Sequence, residues 1–304
     1  MPTIHGSAVR SLKSTFVSDG VRCAATLHLP LHQSEPLPAI LMVHGWGGVQ
    51  NALTVRFHEH FVAAGFAVMS FDYAGWGESE GKIRNAINPW QRLRDAEQAL
   101  AALKLQPEVD ARRIVLWGTS FGGGHVVDLA AKHPELLGAI AHVPMLDGMA
   151  AAKAVPLPHM LRLGVYAVAD IVRLNGPVYI PVVGPLGKLS TMDRDGAYDA
   201  LMRGMREIGQ DYDNRVTARS VLTMGFYRPF KRLKDIRVPT LLVGAQDDTV
   251  APFIESKIRQ QGNPLISIQH LSANHFEPYF EPALTPNLRY QLTFLNSLLA
   301  SKAA

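Results

Sequence analysis

The stretch Arg113-Ile114-Val115-Leu116-Trp117-Gly118-Thr119-Ser120-Phe121-Gly122-Gly123-Gly124-His125 decides the fold of this chain. An apolar run leads into Gly-x-Ser-x-Gly, and a helical pattern continues to Lys132. This order predicts a strand, a sharp turn and a helix, with small residues around the serine that let strand and helix approach closely. It predicts a nucleophile elbow with Ser120 at the turn. The alternative is a serine that caps a helix in a glycine-rich loop.

A serine hydroxyl is a poor nucleophile at neutral pH, so an elbow needs a base and a group that orients the base. His275 is the predicted base, because it lies in a loop after the last predicted strand and ahead of the final helix. The helical spacing predicts that His125 points away from Ser120. The other histidines that compete for this role are His44, His142 and His270, the last two inside strand patterns.

The orienting carboxylate is expected in a loop after a strand. The segment after Thr240–Val243 carries two candidates, Asp247 and Asp248. Asp247 is the predicted acid, because it is the third residue after the glycine that ends the strand, and Asp248 would then cap the loop or face solvent. Asp147, after an earlier predicted strand, is the remaining alternative.

A tetrahedral intermediate needs hydrogen-bond donors for its oxyanion. His44-Gly45-Trp46-Gly47-Gly48 directly follows the apolar run Ile40 to Val43 and is the predicted source of one donor. We expect the backbone N–H groups of Trp46 and Phe121 to form the oxyanion hole. The alternative is that His44-Gly45 only makes a turn.

Short apolar runs alternate with helical patterns along most of the chain, which predicts an α/β fold with a doubly wound, mostly parallel sheet. A hairpin around Asp19-Gly20 is expected to open it. The predicted strands then span 39–43, 66–71, 113–117, 139–143, 240–243 and 265–271. The predicted helices span 53–64, 90–103, 125–132, 254–261 and 287–301. The proline-rich stretch 145–235 breaks this rhythm and is predicted to be an inserted helical cap, with 1–144 and 236–304 as the core.

Composition sets further limits. The 304 residues are 47% hydrophobic and 18% charged, enough to bury a large core, and the formal charge of +4 is scattered rather than clustered. No nucleic-acid partner is therefore expected. Met1–Gly6 shows no basic, apolar leader pattern and no segment reaches 18 consecutive apolar residues, so no membrane association is expected. A single cysteine, Cys23, fits a reducing compartment, and the predicted location is cytoplasmic.

Motifs for other sites are missing from the sequence. It contains no dinucleotide fingerprint, P-loop or His-Glu-x-x-His, so neither a cofactor nor a metal is predicted. His58-Glu59-His60 suggests a metal at first sight, but adjacent helical residues point to different faces.

The order Ser120, Asp247, His275 and the motifs above resemble the serine-dependent α/β-hydrolase superfamily. The resemblance covers nearly the whole chain outside the cap, and it includes an Asp-x-x-Gly-x-Gly-x-Ser loop beginning at Asp72, whose carboxylate is expected to be structural. A narrower similarity, to X-Pro dipeptidyl-peptidase-like hydrolases and fungal polyketide transferases, rests on the elbow and on three further segments. These are Asn88-Pro89-Trp90, Pro107-Glu108-Val109-Asp110 and Asn274-His275-Phe276-Glu277-Pro278-Tyr279.

The resemblance implies the α/β-hydrolase fold and a serine esterase that cleaves a small-molecule carboxylic ester through an acyl-enzyme. An acyltransferase or thioesterase of the polyketide-transferase type and a proline-directed peptidase are the alternatives. A binding protein that keeps the fold without turnover is a rival of another class. The apolar helix face of the cap is expected to face substrate, with packing against the core or contact with a second copy in a homodimer as alternatives.

Overall fold

The computed structural model describes residues 9–194 and 196–303, without the side chains of 301–303. The Met1–Gly6 segment, on which the expectation of no leader rests, lies outside the described residues.

Within the described residues, a mixed sheet of eight strands forms the centre of the molecule, and two short strands pair separately. The strands are β1 (Val9–Ser18), β2 (Val21–Pro30), β3 (Leu37–Val43), β4 (Ala67–Phe71), β5 (Val109–Thr119), β6 (Gly138–His142), β7 (Tyr179–Ile180), β8 (Val216–Thr217), β9 (Thr240–Ala245) and β10 (Ile266–Leu271). The order in the large sheet is β1-β2-β4-β3-β5-β6-β9-β10, and β7 pairs with β8. β2 pairs antiparallel with both β1 and β4, and from β4 to β10 all neighbours are parallel. This confirms the predicted α/β fold with a mostly parallel sheet.

The burial of each strand follows its sequence. Every residue of β4, β6 and β9 is buried, as the unbroken apolar runs predict for strands covered on both faces. β1 lies at the sheet edge and alternates between exposed and less exposed residues. The predicted hairpin is present, because Asp19 and Gly20 both adopt the positive φ angles, 44° and 78°, of a tight turn.

Helices cover both faces of the sheet. They are α1 (Val55–Ala63), α2 (Pro89–Lys104), α3 (Phe121–Lys132), α4 (Gly148–Lys153), α5 (Leu157–Val172), α6 (Ala197–Glu207), α7 (Val221–Met224), α8 (Glu255–Arg259) and α9 (Leu284–Ala303). α3 begins four residues before the predicted start, directly after Ser120, because its first turn consists of the glycines that pack against the strands. Among the described residues, no helix combines the length and apolarity needed to cross a lipid bilayer.

The residues between β6 and β9 contain α4 to α7 and the small β7–β8 pair. One face of α5, with Leu163 and Ala167, is buried. The opposite face is apolar and exposed, with Leu161, Val165 and Val172 each more than 60% exposed. The boundaries of the predicted cap and its contact with a second copy stay predictions.

The sheet also brings the site residues together. His44 follows β3, Ser120 follows β5, and His275 lies in the loop after β10. Since β3, β5, β6, β9 and β10 run parallel, their carboxyl ends share one edge, where open α/β sheets form binding sites.

Candidate active site

Ser120 occupies a strained turn between β5 and α3. Its backbone has φ 55° and ψ −122°, a conformation that costs a non-glycine residue energy and is held only by its surroundings. Its N–H donates to the carbonyl of His142 at 2.9 Å, and its own carbonyl accepts from the amide of Met145 at 2.8 Å. These bonds anchor the turn to the end of β6 and keep the hydroxyl at the sheet edge.

The glycines around Ser120 allow α3 to cross the strands at close range. A Cβ on Gly118 would lie 2.5 Å from the carbonyl oxygen of Gly122, and one on Gly122 would overlap the carbonyl oxygens of Val43 and His44. Both positions therefore require glycine for packing, as the elbow motif predicts.

His275 meets Ser120, as the sequence predicts. Its Nε2 lies 3.0 Å from Ser120 Oγ. The acid is different from the predicted one: Nδ1 of His275 lies 2.6 Å from Asp248 Oδ2, whereas Asp247 is exposed and makes no side-chain bond to His275 in the described part of the chain. The prediction of Asp247 is therefore wrong by one residue.

The length of β9 explains this error. The strand continues one residue past Gly244, to Ala245, so the third residue after its end is Asp248. The amide of Asp247 still donates to the carbonyl of Ala273, which keeps its side chain outward. Asp248 turns inward, and its Oδ1 accepts from the amides of Val250 and Ala251 at 2.9 and 2.7 Å. It caps the loop, as expected, and also binds His275.

The three side chains form a continuous hydrogen-bonded path. Because a carboxylate only accepts, the Nδ1 of His275 donates to Asp248, and its Nε2 is left with a lone pair facing the hydroxyl of Ser120. His275 and Asp248 are both buried. This arrangement can take a proton from Ser120 and stabilise the imidazolium that results.

The competing histidines have other partners. Burial lowers the pKa of His142 to about 3, and its ring contacts Thr119 Oγ1 and the Asn287 side chain, both at 2.9 Å. His125 is fully buried against Tyr227, 2.8 Å from its hydroxyl. His270 pairs with Glu255 at 2.5 Å. None of these rings contacts Ser120, which leaves His275 as the base that the geometry supports.

His44 lies at the end of β3 and braces the loop rather than reaching Ser120. Its Nδ1 is 3.3 Å from Thr54 Oγ1, and burial lowers its pKa to about 3. Asp147, the alternative acid, caps α4 and forms a salt bridge with Arg228 at 2.9 Å. Both residues therefore have structural contacts that explain them.

The predicted oxyanion donors lie beside the serine. Phe121 is the first residue of α3, so its N–H has no partner within the helix. Gly45 packs so closely on the elbow that a Cβ there would lie 3.0 Å from Ser120 Cβ, which places the next amide, that of Trp46, in the same region. Within the described residues, neither amide makes a hydrogen bond. Both can donate to a ligand.

Two cavities meet at Ser120, and Trp46 and Met192 border both. The apolar cavity encloses about 640 Å³, counting its open part, and its other lining residues include Phe121, Met145, Leu163 and Met224. The histidine-side cavity encloses about 530 Å³ on the same measure, and its other lining residues include His44, Tyr212, His275 and Tyr279. The Trp46 indole is held between them by a bond to Thr191 Oγ1 of 2.9 Å.

A buried polar network connects the elbow to α9, and no sequence motif predicted it. The Thr119 hydroxyl contacts the hydroxyl of Tyr279 and the ring of His142. Asn287 joins His142 to α9, where it accepts from Gln291 at 2.7 Å. In the sequence, Asn287 and Gln291 stand one helical turn apart in the last predicted helix, but this spacing does not indicate their partners.

Asp72 is structural, as expected. Its carboxylate accepts from the amides of Gln50 and Glu78 and from the Gln50 side chain, at 2.8 to 2.9 Å. These bonds tie the loop after β4 to the loop after β3. Across the described residues, no group of three or more His, Cys, Asp or Glu side chains could hold a metal ion.

The fold and the serine elbow define an α/β hydrolase. A family model described as serine aminopeptidase, S33, matches residues 34–261, and the chain belongs to this family of α/β hydrolases. The predicted superfamily is thereby confirmed.

Similar proteins carry several names. The quorum-quenching protein AidA of Acinetobacter baumannii is 33% identical over 290 residues, which cover 94% of this chain and 95% of that one. A thiohydrolase of Eupenicillium brefeldianum is 27% identical, with 77% of each chain covered. The polyketide transferase grgF of a Penicillium species is also 27% identical, with 62% of each covered. The crystal structure of the α/β hydrolase GrgF from Penicillium sp. sh18 superposes with a TM-score of 0.76 at 22% identity, over 96% of this chain and 99% of that one. The predicted similarity to fungal polyketide transferases is confirmed.

Proposed function

We propose that this protein is a serine hydrolase that cleaves carboxylic esters through an acyl-enzyme. Ser120 is the nucleophile, His275 the general base and Asp248 the acid that orients it. The observation that carries this proposal is the unbroken path from Ser120 Oγ through His275 to Asp248, at 3.0 and 2.6 Å, beside an apolar cavity.

In the first step, His275 Nε2 takes the hydroxyl proton as Ser120 Oγ bonds to the acyl carbon. The carbonyl electrons move to oxygen, where the amides of Trp46 and Phe121 donate to the oxyanion. Collapse of this intermediate breaks the ester bond, and the imidazolium returns its proton to the departing alcohol. Water then attacks the acyl-enzyme with His275 again as base, and the acid and free Ser120 result.

The two cavities suggest how a substrate lies. The attacking water and the departing alcohol exchange their proton with His275, so both must occupy the cavity that this residue lines. The acyl chain is then left to the apolar cavity, whose lining of Met145, Leu163 and Met224 suits an uncharged chain. This assignment makes the acyl part the main source of apolar binding energy.

Hydrolysis of p-nitrophenyl esters from acetate to decanoate tests the proposal, with Ser120→Ala as the inactive variant. Ser297→Ala is the matched control, because Ser297 is an exposed serine on α9. We expect wild type and the control to hydrolyse the esters and to label with a fluorophosphonate probe, and Ser120→Ala to do neither. Unchanged hydrolysis by Ser120→Ala refutes the nucleophile.

Acyl transfer or thioester cleavage is the second candidate, and the position of the histidine-side cavity favours it. This cavity is lined by both Ser120 and His275 and is open to solvent, so an acceptor alcohol, amine or thiol can approach the acyl-enzyme there as water does. The relatives named thiohydrolase and polyketide transferase support the same reading. Acyl-thioester substrates and added acceptor alcohols test it, and a transfer product at the expense of free acid would establish it.

A lactone belongs in the same panel, because the relative of 33% identity is named a quorum-quenching protein. N-acyl-homoserine lactones are signals that carry both an acyl chain and a cyclic ester. Ring opening by wild type and not by Ser120→Ala would identify this substrate class.

A proline-directed peptidase and a cytoplasmic location stay predictions. Proline-containing amide substrates test the first, and cell fractionation tests the second.

A further inference from the structure

Arg92 is a buried cation beneath the loop after β3. It projects from the first turn of α2 and is 1% exposed. Its guanidinium lies 4.3 Å from the ring centre of Tyr73 and 4.9 Å from that of Trp76. Burial lowers its pKa to about 10, which still leaves it protonated at neutral pH.

No carboxylate among the described residues forms a salt bridge with this cation. Asp95, one turn further along α2, is already bonded to Ser18, Gln91 and the amide of Ala74. Two of the guanidinium nitrogens of Arg92, Nε and Nη2, make no hydrogen bond to the described residues. Burying a charge in this way is costly, so packing alone does not explain it.

Among the described residues, the guanidinium makes one hydrogen bond, to the backbone of His44–Gly48, the segment that is predicted to supply an oxyanion donor. Arg92 Nη1 donates to the carbonyl oxygen of Gly45 at 2.9 Å, and the amide of Gly48 donates to the same oxygen at 3.1 Å. That carbonyl belongs to the peptide group whose N–H is that of Trp46. In a planar trans peptide the C=O and N–H point in opposite directions. Because Arg92 holds the Gly45 carbonyl oxygen toward α2, the N–H of Trp46 points away from α2.

A cation on the carbonyl also changes the strength of the amide. It draws electron density toward the oxygen, which makes the N–H of the same peptide a better donor, and such polarisation is strongest where the local dielectric is low. We propose that Arg92 is a positioning residue of the oxyanion hole, which orients and polarises the Gly45–Trp46 peptide so that its N–H stabilises the tetrahedral intermediate. This inference rests on the proposed function, since it needs an oxyanion at Ser120.

The test uses Arg92→Met, which removes the charge and the donor but keeps an unbranched apolar chain, and Arg92→Lys, which restores a charged donor. Arg94→Met is the matched control, because Arg94 lies on the same helix, is exposed and pairs with Asp19. The readouts are kcat and KM for a p-nitrophenyl ester, the inhibition constant of an alkylboronic acid, and the thermal unfolding midpoint. Rates are normalised to the sites that a fluorophosphonate labels.

We expect Arg92→Met to lower kcat by about 10- to 100-fold, part of the 10²- to 10³-fold that a whole oxyanion donor is worth. KM should stay within about threefold, and the boronic acid, which forms a tetrahedral adduct with the serine, should bind more weakly by a similar factor. Arg92→Lys should lie between Arg92→Met and wild type, and Arg94→Met should match wild type. A role in stability alone would lower the unfolding midpoint without this split between kcat and KM.

The proposal is overturned if folded Arg92→Met keeps kcat within twofold of wild type, if the loss lies in KM alone, or if Arg92→Lys is no better than Arg92→Met. Should Arg92→Met not fold, Arg92→Gln takes its place with the same split expected at smaller size. Failure of wild type to label at Ser120 would instead refute the proposed function, so the two failures are distinguishable.

Discussion

The exchange of Asp248 for asparagine is the sharpest test of the site, because the neighbouring Asp247 provides a matched control. Asp248 Oδ1 accepts from the amides of Val250 and Ala251, and Oδ2 accepts from His275 Nδ1. In Asp248→Asn the amides of Val250 and Ala251 still require an acceptor, so the side-chain oxygen of the asparagine takes the place of Oδ1. The NH₂ group is then left facing His275.

This orientation forces the histidine into the wrong tautomer. Facing a donor, Nδ1 must accept, so the ring proton moves to Nε2, which lies 3.0 Å from Ser120 Oγ and can no longer accept the hydroxyl proton. The base is lost although every atom keeps its place. An asparagine in this position of a serine triad costs about 10⁴ in kcat, and we expect a loss of about 10³- to 10⁴-fold here.

The assay is ester hydrolysis at saturating substrate, with labelled sites counted by a fluorophosphonate and folding checked by thermal unfolding. Asp247→Asn should keep kcat within about twofold, since its side chain is exposed. Equal losses in the two variants, or an Asp248→Asn protein with more than a tenth of wild-type kcat, would refute the assignment of the acid.

Three further outcomes follow from the structure. Gly122→Ala should lower the free energy of unfolding by at least about 3 kcal/mol in urea titration, because its Cβ would overlap the carbonyl oxygens of Val43 and His44. The control Gly164→Ala, at a position on α5 where a Cβ meets open space, should be neutral or slightly stabilising, and equal stability of the two variants would contradict the packing argument. Met224→Trp should narrow the apolar cavity and lower kcat/KM for decanoate esters at least about 10-fold more than kcat/KM for acetate esters. An equal loss of kcat/KM at all chain lengths would contradict the placement of the acyl chain in the apolar cavity. The thermal unfolding midpoint should fall steeply as the pH drops from 6.5 toward 4, because the buried histidines stay neutral in the folded protein while those of the unfolded chain bind protons. Each such histidine then lowers the free energy of unfolding by up to about 1.4 kcal/mol per pH unit, and a midpoint that does not change with pH would show that these rings are not neutral in the folded protein. The histidines concerned are His28, His44, His58, His125 and His142.

Much of the site was predictable because its parts are local patterns. The elbow around Ser120 is a continuous motif whose glycines are required by close packing, and His275 follows the last strand as expected. The error at Asp247 arose because strand ends are poorly marked in sequence. A single extra residue in β9 turned the neighbouring side chain inward instead.

By itself, the sequence determined the α/β class, the mostly parallel sheet, the serine and the histidine, because hydrophobic period and turn residues act over a few positions of the chain. Only the tertiary structure decided between Asp247 and Asp248, placed Arg92 under Gly45, and joined Thr119 to Asn287 through His142. These contacts link residues 23 to 145 positions apart. Their partners are chosen by the packing of helices on the sheet and by the need to satisfy buried polar groups, which no local pattern records.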